Sequence, residues 1–139
     1  MSEAMITVRS CIQSPSGDNE TIEQRAQASL AVVGGMTRIS YETREGDSRC
    51  DNDIIFRESE PLRLRIRREG AMCSDMLFEE GAEHCFEYSA LGYKIDARVM
   101  TEELSVTRNE GGIDIGLKYI LNLGSDQTHT SVSITVTEL

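Results

Sequence analysis

Apolar and polar residues alternate along most of this chain. Leu62, Leu64, Ile66 and Arg68 share one parity, and Arg63, Arg65, Arg67 and Glu69 take the other. The same period returns in Tyr93-Ile95-Ala97-Val99, in Ile113-Ile115-Leu117-Tyr119-Leu121-Leu123 and in Val132-Ile134-Val136. A period of two puts successive side chains on opposite faces of a strand, so each run predicts a strand with one buried face. Gly70, Gly81, Gly92, Gly111-Gly112 and Gly124 break the runs at turn positions.

The rest of the chain follows the same logic. Met5 to Ile12 predicts a first strand, closed by the turn cluster Ser14-Pro15-Ser16-Gly17-Asp18-Asn19. Thr21 to Val33 fits both periods. Ile22, Ala26, Leu30 and Val33 suit a helix face, whereas Ile22, Gln24, Ala26, Ala28, Leu30 and Val32 suit a strand. The hairpin signal Gly34-Gly35, with strand-like Met36 to Tyr41 beyond it, favours the strand. Glu45-Gly46-Asp47-Ser48 is a turn, Asp53 to Phe56 a short strand, and Pro61 opens the next. Met72, Ser74, Met76 and Phe78 share one face of a strand, and His84, Phe86 and Tyr88 share one face of another. After Tyr93 the apolar residues sit at odd positions through Val99 and return at even positions in Leu104 and Val106. That slip predicts a β-bulge around Met100–Glu103. Asn109-Glu110-Gly111-Gly112 and Gly124-Ser125-Asp126 join the last three strands. The expected fold is all-β: about ten strands in an up-and-down antiparallel barrel, one domain over residues 1–139, closed because closure removes aggregation-prone edges.

Composition narrows the partners. The formal net charge is −10 over 139 residues. That opposes nucleic acid, whose phosphates need a basic surface, and anionic membranes. No n-region followed by an apolar core opens the chain, and no apolar run reaches the length of a membrane span. Cys11, Cys50, Cys73 and Cys85 are widely spaced, without a C-x-x-C pair. Reduced thiols and a cytoplasmic location are the expectation.

Several positions also resemble a known family. Arg68-x-Gly70, Met76-x-Phe78-x-x-Gly81, Tyr88, Gly92, Gly112 and Tyr119-x-Leu121 stand in the order and spacing of the YwiB-like proteins. These are small bacterial proteins with a calycin-like (lipocalin-like) β-barrel and no established activity. The resemblance runs over nearly the whole chain and is densest from Arg68 to Leu121. It implies that Thr21–Val33 is a strand, and it implies a bacterial cytoplasmic setting. Two positions depart from the pattern. Ser89-Ala90-Leu91-Gly92 stands where a Thr-Pro-Tyr-Gly type of turn is expected, and Ala28 stands near an expected glycine.

Arg68 is the residue with most chemical meaning, because its parity points it inward and a buried guanidinium is costly unless paired. It reads either as an anion anchor within a ligand cavity or as a rim residue closing one end of the barrel. Tyr88, Tyr93 and Tyr119 share the inward parity, and His84 and Ser74 join them as candidate ligand contacts. Equally, such tyrosines fill small barrels and satisfy their hydroxyls locally. The outward stripe Arg63, Arg65 and Arg67 is read as cross-strand pairing with Asp75, Glu79 or Glu87. Glu79-Glu80-x-x-Glu83-His84 lacks the spacing of a metal site, and Asp51-Asn52-Asp53 lacks the glycine and terminal glutamate of a calcium loop.

Neither a nucleophile elbow nor a phosphate loop nor a dinucleotide fingerprint occurs. The expected activity is non-enzymatic, without cofactor or metal: binding of a small apolar or anionic ligand by a monomer or homodimer. The alternative is a structural or protein-interaction module with a filled barrel. An enzyme would have to rely on His84 and Glu79.

Overall fold

The computed structural model describes residues 2–139. Ten strands follow one another: β1 (Ser2–Gln13), β2 (Asn19–Val33), β3 (Met36–Glu45), β4 (Ser48–Arg57), β5 (Arg63–Gly70), β6 (Met72–Glu79), β7 (Glu83–Ala90), β8 (Tyr93–Asn109), β9 (Gly112–Leu123) and β10 (Asp126–Glu138). Each pairs antiparallel with the next, and β10 pairs with β1, so the meander closes into a barrel. The ambiguous segment is strand β2. Gly34 and Gly35, with φ of 59° and 78°, make the left-handed two-residue turn that its hairpin needs.

The bulge also falls where the parity slips. The β8–β9 register shifts between Thr101 and Glu103. Ala97, Val99 and Thr101 are buried before it and Leu104 after it, so the slip keeps apolar residues inside as the strand bends. Several strands run past their expected bounds, β1 from Ser2 and β3 to Glu45 among them, and two boundaries change what faces the interior. β4 is a full strand rather than a short one at Asp53–Phe56, because its first half, rich in polar residues, still zips to β3. Leu62 lies before β5 and is 49% exposed, so the inward face of β5 begins at Leu64.

The barrel has two distinct ends. The lower end carries the β2–β3, β4–β5, β6–β7 and β8–β9 turns, and the upper end the other five connections. The lower half is filled with side chains: Ile6, Leu30, Ile39, Ile54, Phe56, Leu64 and Ile115 are all buried. Full burial of each such side chain contributes about 1.5–3 kcal/mol. The outer face is polar. Arg38–Asp53 pair at 2.9 Å, Arg63–Glu79 at 3.3 Å and Lys118–Glu103 at 3.6 Å, and Arg65 pairs with Asp75. That is the reverse of the apolar outer belt of a lipid-spanning barrel. Among the described residues no helix is long and apolar enough to cross a membrane.

Candidate functional site

Above the packed floor the barrel encloses a cavity of about 300 Å³. Its walls are mostly apolar, with Val8, Ile66, Phe78, Phe86, Leu121 and Ile134 among the lining residues. One polar band interrupts them. Tyr41 on β3, Asn52 on β4, Arg68 on β5 and Ser74 on β6 are successive partners across three ladders, so they stand side by side in one row. Tyr41, Arg68 and Ser74 reach the cavity, as do Tyr88 and Tyr119.

Asn52 organises the row. Its side chain is almost wholly buried. The amide nitrogen donates to the Tyr41 carbonyl (3.3 Å), the Thr43 hydroxyl (3.2 Å) and the Cys50 carbonyl (3.3 Å). With the nitrogen side surrounded by acceptors, Oδ1 must face the other way, where it accepts from Arg68 Nε at 3.1 Å. A guanidinium carries five N–H groups in a fixed fork. Asn52 takes the Nε–H, and among the described residues no carboxylate pairs with Arg68. The two terminal nitrogens therefore present the edge that a carboxylate grips with two parallel hydrogen bonds. Gly70 fixes where the strand ends, two residues on. Its φ is 133°, and a Cβ there would sit 2.2 Å from the Arg49 carbonyl oxygen. Only glycine fits, and the Ala71 N–H then donates to that same oxygen at 3.0 Å.

The tyrosines act as neutral neighbours of this charge. Burial pushes the Tyr41 hydroxyl above its ordinary pKa, and the Arg68 charge pulls it partly back. Burial likewise raises Tyr119, against Thr130 and Arg68. Both stay protonated donors at neutral pH. Tyr119 also packs its ring against Phe78, centroids 4.9 Å apart. The Tyr88 hydroxyl donates to the Met72 thioether at 3.0 Å.

Of the six residues singled out by parity, the structure gathers Arg68, Ser74, Tyr88 and Tyr119 around the cavity. The other two lie elsewhere. Tyr93 has inward parity but is 75% exposed, because the β7–β8 hairpin overhangs its neighbour: β9 ends at Leu123, opposite Ala97. His84 turns between β6 and β7, where its Nε2 meets Glu79 Oε1 at 3.1 Å, outside the cavity lining. Reasoning from parity passed over Asn52 and Tyr41. The signal is present in the parity that Asn52 shares with Ile54 and Phe56, but the expected strand begins at Asp53 and leaves Asn52 outside it.

The outward arginines are paired across the ladder. Arg65 and Arg67 pair with Asp75, and Arg63 with Glu79, whereas Glu87 pairs with Lys94 at 3.8 Å. The four cysteines are free thiols. Among the described residues no three His, Cys, Asp or Glu side chains group as a metal cage. A wider groove of about 650 Å³ crosses the outer faces of β8, β9, β10 and β1, floored by Ser105, Gly116, Ser131 and Ser133. It lies open on the outer face, and its Lys118, Glu103 and Glu80 side chains already have partners, so the inner cavity is the candidate site.

Comparison with known proteins agrees with the barrel. No curated protein matches the chain. A crystal structure of the ywiB protein from Bacillus subtilis superposes with a TM-score of 0.88 at 19% identity, covering 99% of this chain and 92% of that one. The sequence profile of a domain of unknown function, DUF1934, matches residues 6–134, and the chain belongs to that family.

Proposed function

We propose that this protein is a non-enzymatic binding protein for a small amphipathic anion, with Arg68 as its anchor. The observation that carries the reading is a guanidinium oriented by Asn52, lacking a carboxylate partner among the described residues, in the wall of an apolar cavity. The volume of about 300 Å³ lies at the lower end of the usual range for small-molecule sites. A carboxylate or sulfonate head would bridge the terminal nitrogens of Arg68, near the Tyr41 and Tyr119 hydroxyls. An apolar tail would lie against Phe78, Phe86 and Ile134. Four free thiols suit the reducing interior of a bacterial cell.

The test is titration with 8-anilino-1-naphthalenesulfonate, an apolar aromatic sulfonate, read by fluorescence. The wild type is expected to bind it at one site. Arg68→Met is expected to bind roughly 100-fold more weakly, the loss of about two charge-assisted hydrogen bonds, while keeping the native circular dichroism spectrum. Equal affinity in the two proteins would contradict the reading.

A second reading has its own observation. The overhanging hairpin exposes Leu91 (91%), Tyr93 (75%) and Ile95 (41%) at the upper rim. Such a patch suits a protein contact. It calls for a concentration series by light scattering, in which Tyr93→Glu abolishes any dimer the wild type forms.

A further inference from the structure

One seam of the barrel is not zipped. Between β6 and β7 the ladder among the described residues holds only at Met72–Ala90 and Cys73–Ser89, beside the overhanging hairpin. Below those pairs Ser74–Phe78 faces His84–Tyr88 without ladder partners. Every other seam is paired over at least six positions. The open stretch lies directly over the cavity, since Ser74, Met76, Phe78, Phe86 and Tyr88 all line it.

The sequence accounts for the opening. Continuing the register set by Met72–Ala90 places Asp75 opposite Glu87 and Glu79 opposite Glu83, with Leu77 opposite Cys85 between them. Like charges directly opposed destabilise strand pairing. Each acid is instead held from the far side. Asp75 pairs with Arg65, Glu79 with Arg63, Glu83 with Arg98 and Glu87 with Lys94. These four ion pairs thus join β6 to β5 and β7 to β8, and Glu79 also meets His84 across the seam at its lower end. The turn between the two strands is also tied sideways to the β8 bulge. Gly81 N–H donates to the Thr101 carbonyl (2.9 Å), Thr101 N–H to the Ala82 carbonyl (3.2 Å), and Leu104 N–H to the Glu80 carboxylate (3.1 Å). Across the open stretch the cross-strand bonds are made by side chains: His84 with Glu79, and Tyr88 with Met72.

We infer that this seam is the passage through which ligand reaches the cavity, an inference that rests on the cavity being a ligand site. β6 and β7 part as edges of two hairpins, each kept intact by its own ion pairs. The acidic lips oppose an anionic head group, so the apolar tail leads, between Leu77 and Cys85.

The test removes the opposed charges on the outer lips, Glu83→Gln with Glu87→Gln, so that neutral amides stand opposite Glu79 and Asp75 without setting cations beside Arg98 and Lys94. Stopped-flow fluorescence follows 8-anilino-1-naphthalenesulfonate. Making an acidic protein less acidic should by itself speed association of this anion. If the seam is the passage, the variant instead slows association and release together, each by tenfold or more. Unchanged or faster exchange would overturn the inference. Amide hydrogen exchange on the same proteins gives a second, ligand-free readout. In the wild type, the amides of residues 74–78 and 84–88 that face the seam are expected to exchange faster than those of β3 and β4, and in the variant they become protected. Seam amides as slow as those of β3 and β4 in the wild type would also overturn the inference. Failure of the wild type to bind the sulfonate at all would remove the cavity reading, and the passage with it.

Discussion

Two arginines with inward parity stand near opposite ends of this barrel, and their surroundings differ. Arg108, on the lower rim, lies over the Phe56 ring at 5.8 Å, pairs with Glu58 at 3.1 Å and donates to the buried Thr37 hydroxyl. Its charge is paired with Glu58, and with Phe56 and Val106 it borders an open pocket of about 250 Å³ at the rim. Arg68, in the upper half, has one neutral acceptor among the described residues, Asn52, and a cavity in front of it. The same residue type therefore does different work at each end. Parity does not separate the roles; an acid within reach does, together with the deeper burial of Arg68.

Substitution at either arginine or its neighbours should exchange the two roles. Ser74→Asp places a carboxylate directly across the ladder from Arg68 and so converts the upper arginine into a paired one. Affinity for an anionic ligand is expected to fall on the order of 100-fold, with thermal stability kept or raised, as calorimetry and titration would show. Arg108→Met is expected to do the opposite. It strands the Thr37 hydroxyl and removes the cation over Phe56, for a loss of about 2 kcal/mol in chemical denaturation with ligand affinity unchanged. Asn52→Leu keeps the Arg68 charge but frees its orientation. A roughly tenfold loss in affinity is expected, about one neutral hydrogen bond.

Smaller effects test the scaffold. Leu91 sits in the left-handed region with φ of 53°, which costs a non-glycine residue about 1–2 kcal/mol. Leu91→Asn is expected to recover about 0.5–1 kcal/mol of this, because asparagine tolerates the conformation better. The smallest effect concerns pH. Burial pushes the Asp53 carboxyl up, but hydrogen bonds from Arg38 and Ser40 leave it below the usual range. The hydrogen bond from Arg65 holds Asp75 low as well, against burial. A lowered carboxylate stabilises the fold above its unfolded pKa, and that contribution is lost as pH falls through the folded value. Stability should thus decline below about pH 4. Asp75→Asn should flatten that limb by only a few tenths of a kcal/mol, since the pair is largely exposed.

Much of this barrel was legible in the alternation, because one buried face per strand is what a closed sheet demands. Even the bulge announced itself in the shift from Val99 to Leu104. Parity fails where height along the barrel matters. Tyr93 and Leu62 point the right way but lie beyond the closed part of the sheet, and nothing local encodes where a neighbouring strand stops. Arg108 was reachable by counting on from Leu104 and Val106. Asn52 falls just outside the strand expected to begin at Asp53. The open seam was out of reach because the opposed acids become opposed only once the β6–β7 register is known. Pairing of the outward arginines with Asp75 and Glu79, by contrast, needed only adjacency of β5 and β6.

The proposed role of Arg68 as an anion anchor is checked by calorimetric titration with octanoate and with octanol, which share a tail and differ in the head group. Octanoate is expected to bind on the order of 100-fold more tightly than octanol, with the difference gone in Arg68→Met. Equal binding of the two by the wild type, or a preference that survives loss of Arg68, would contradict the account.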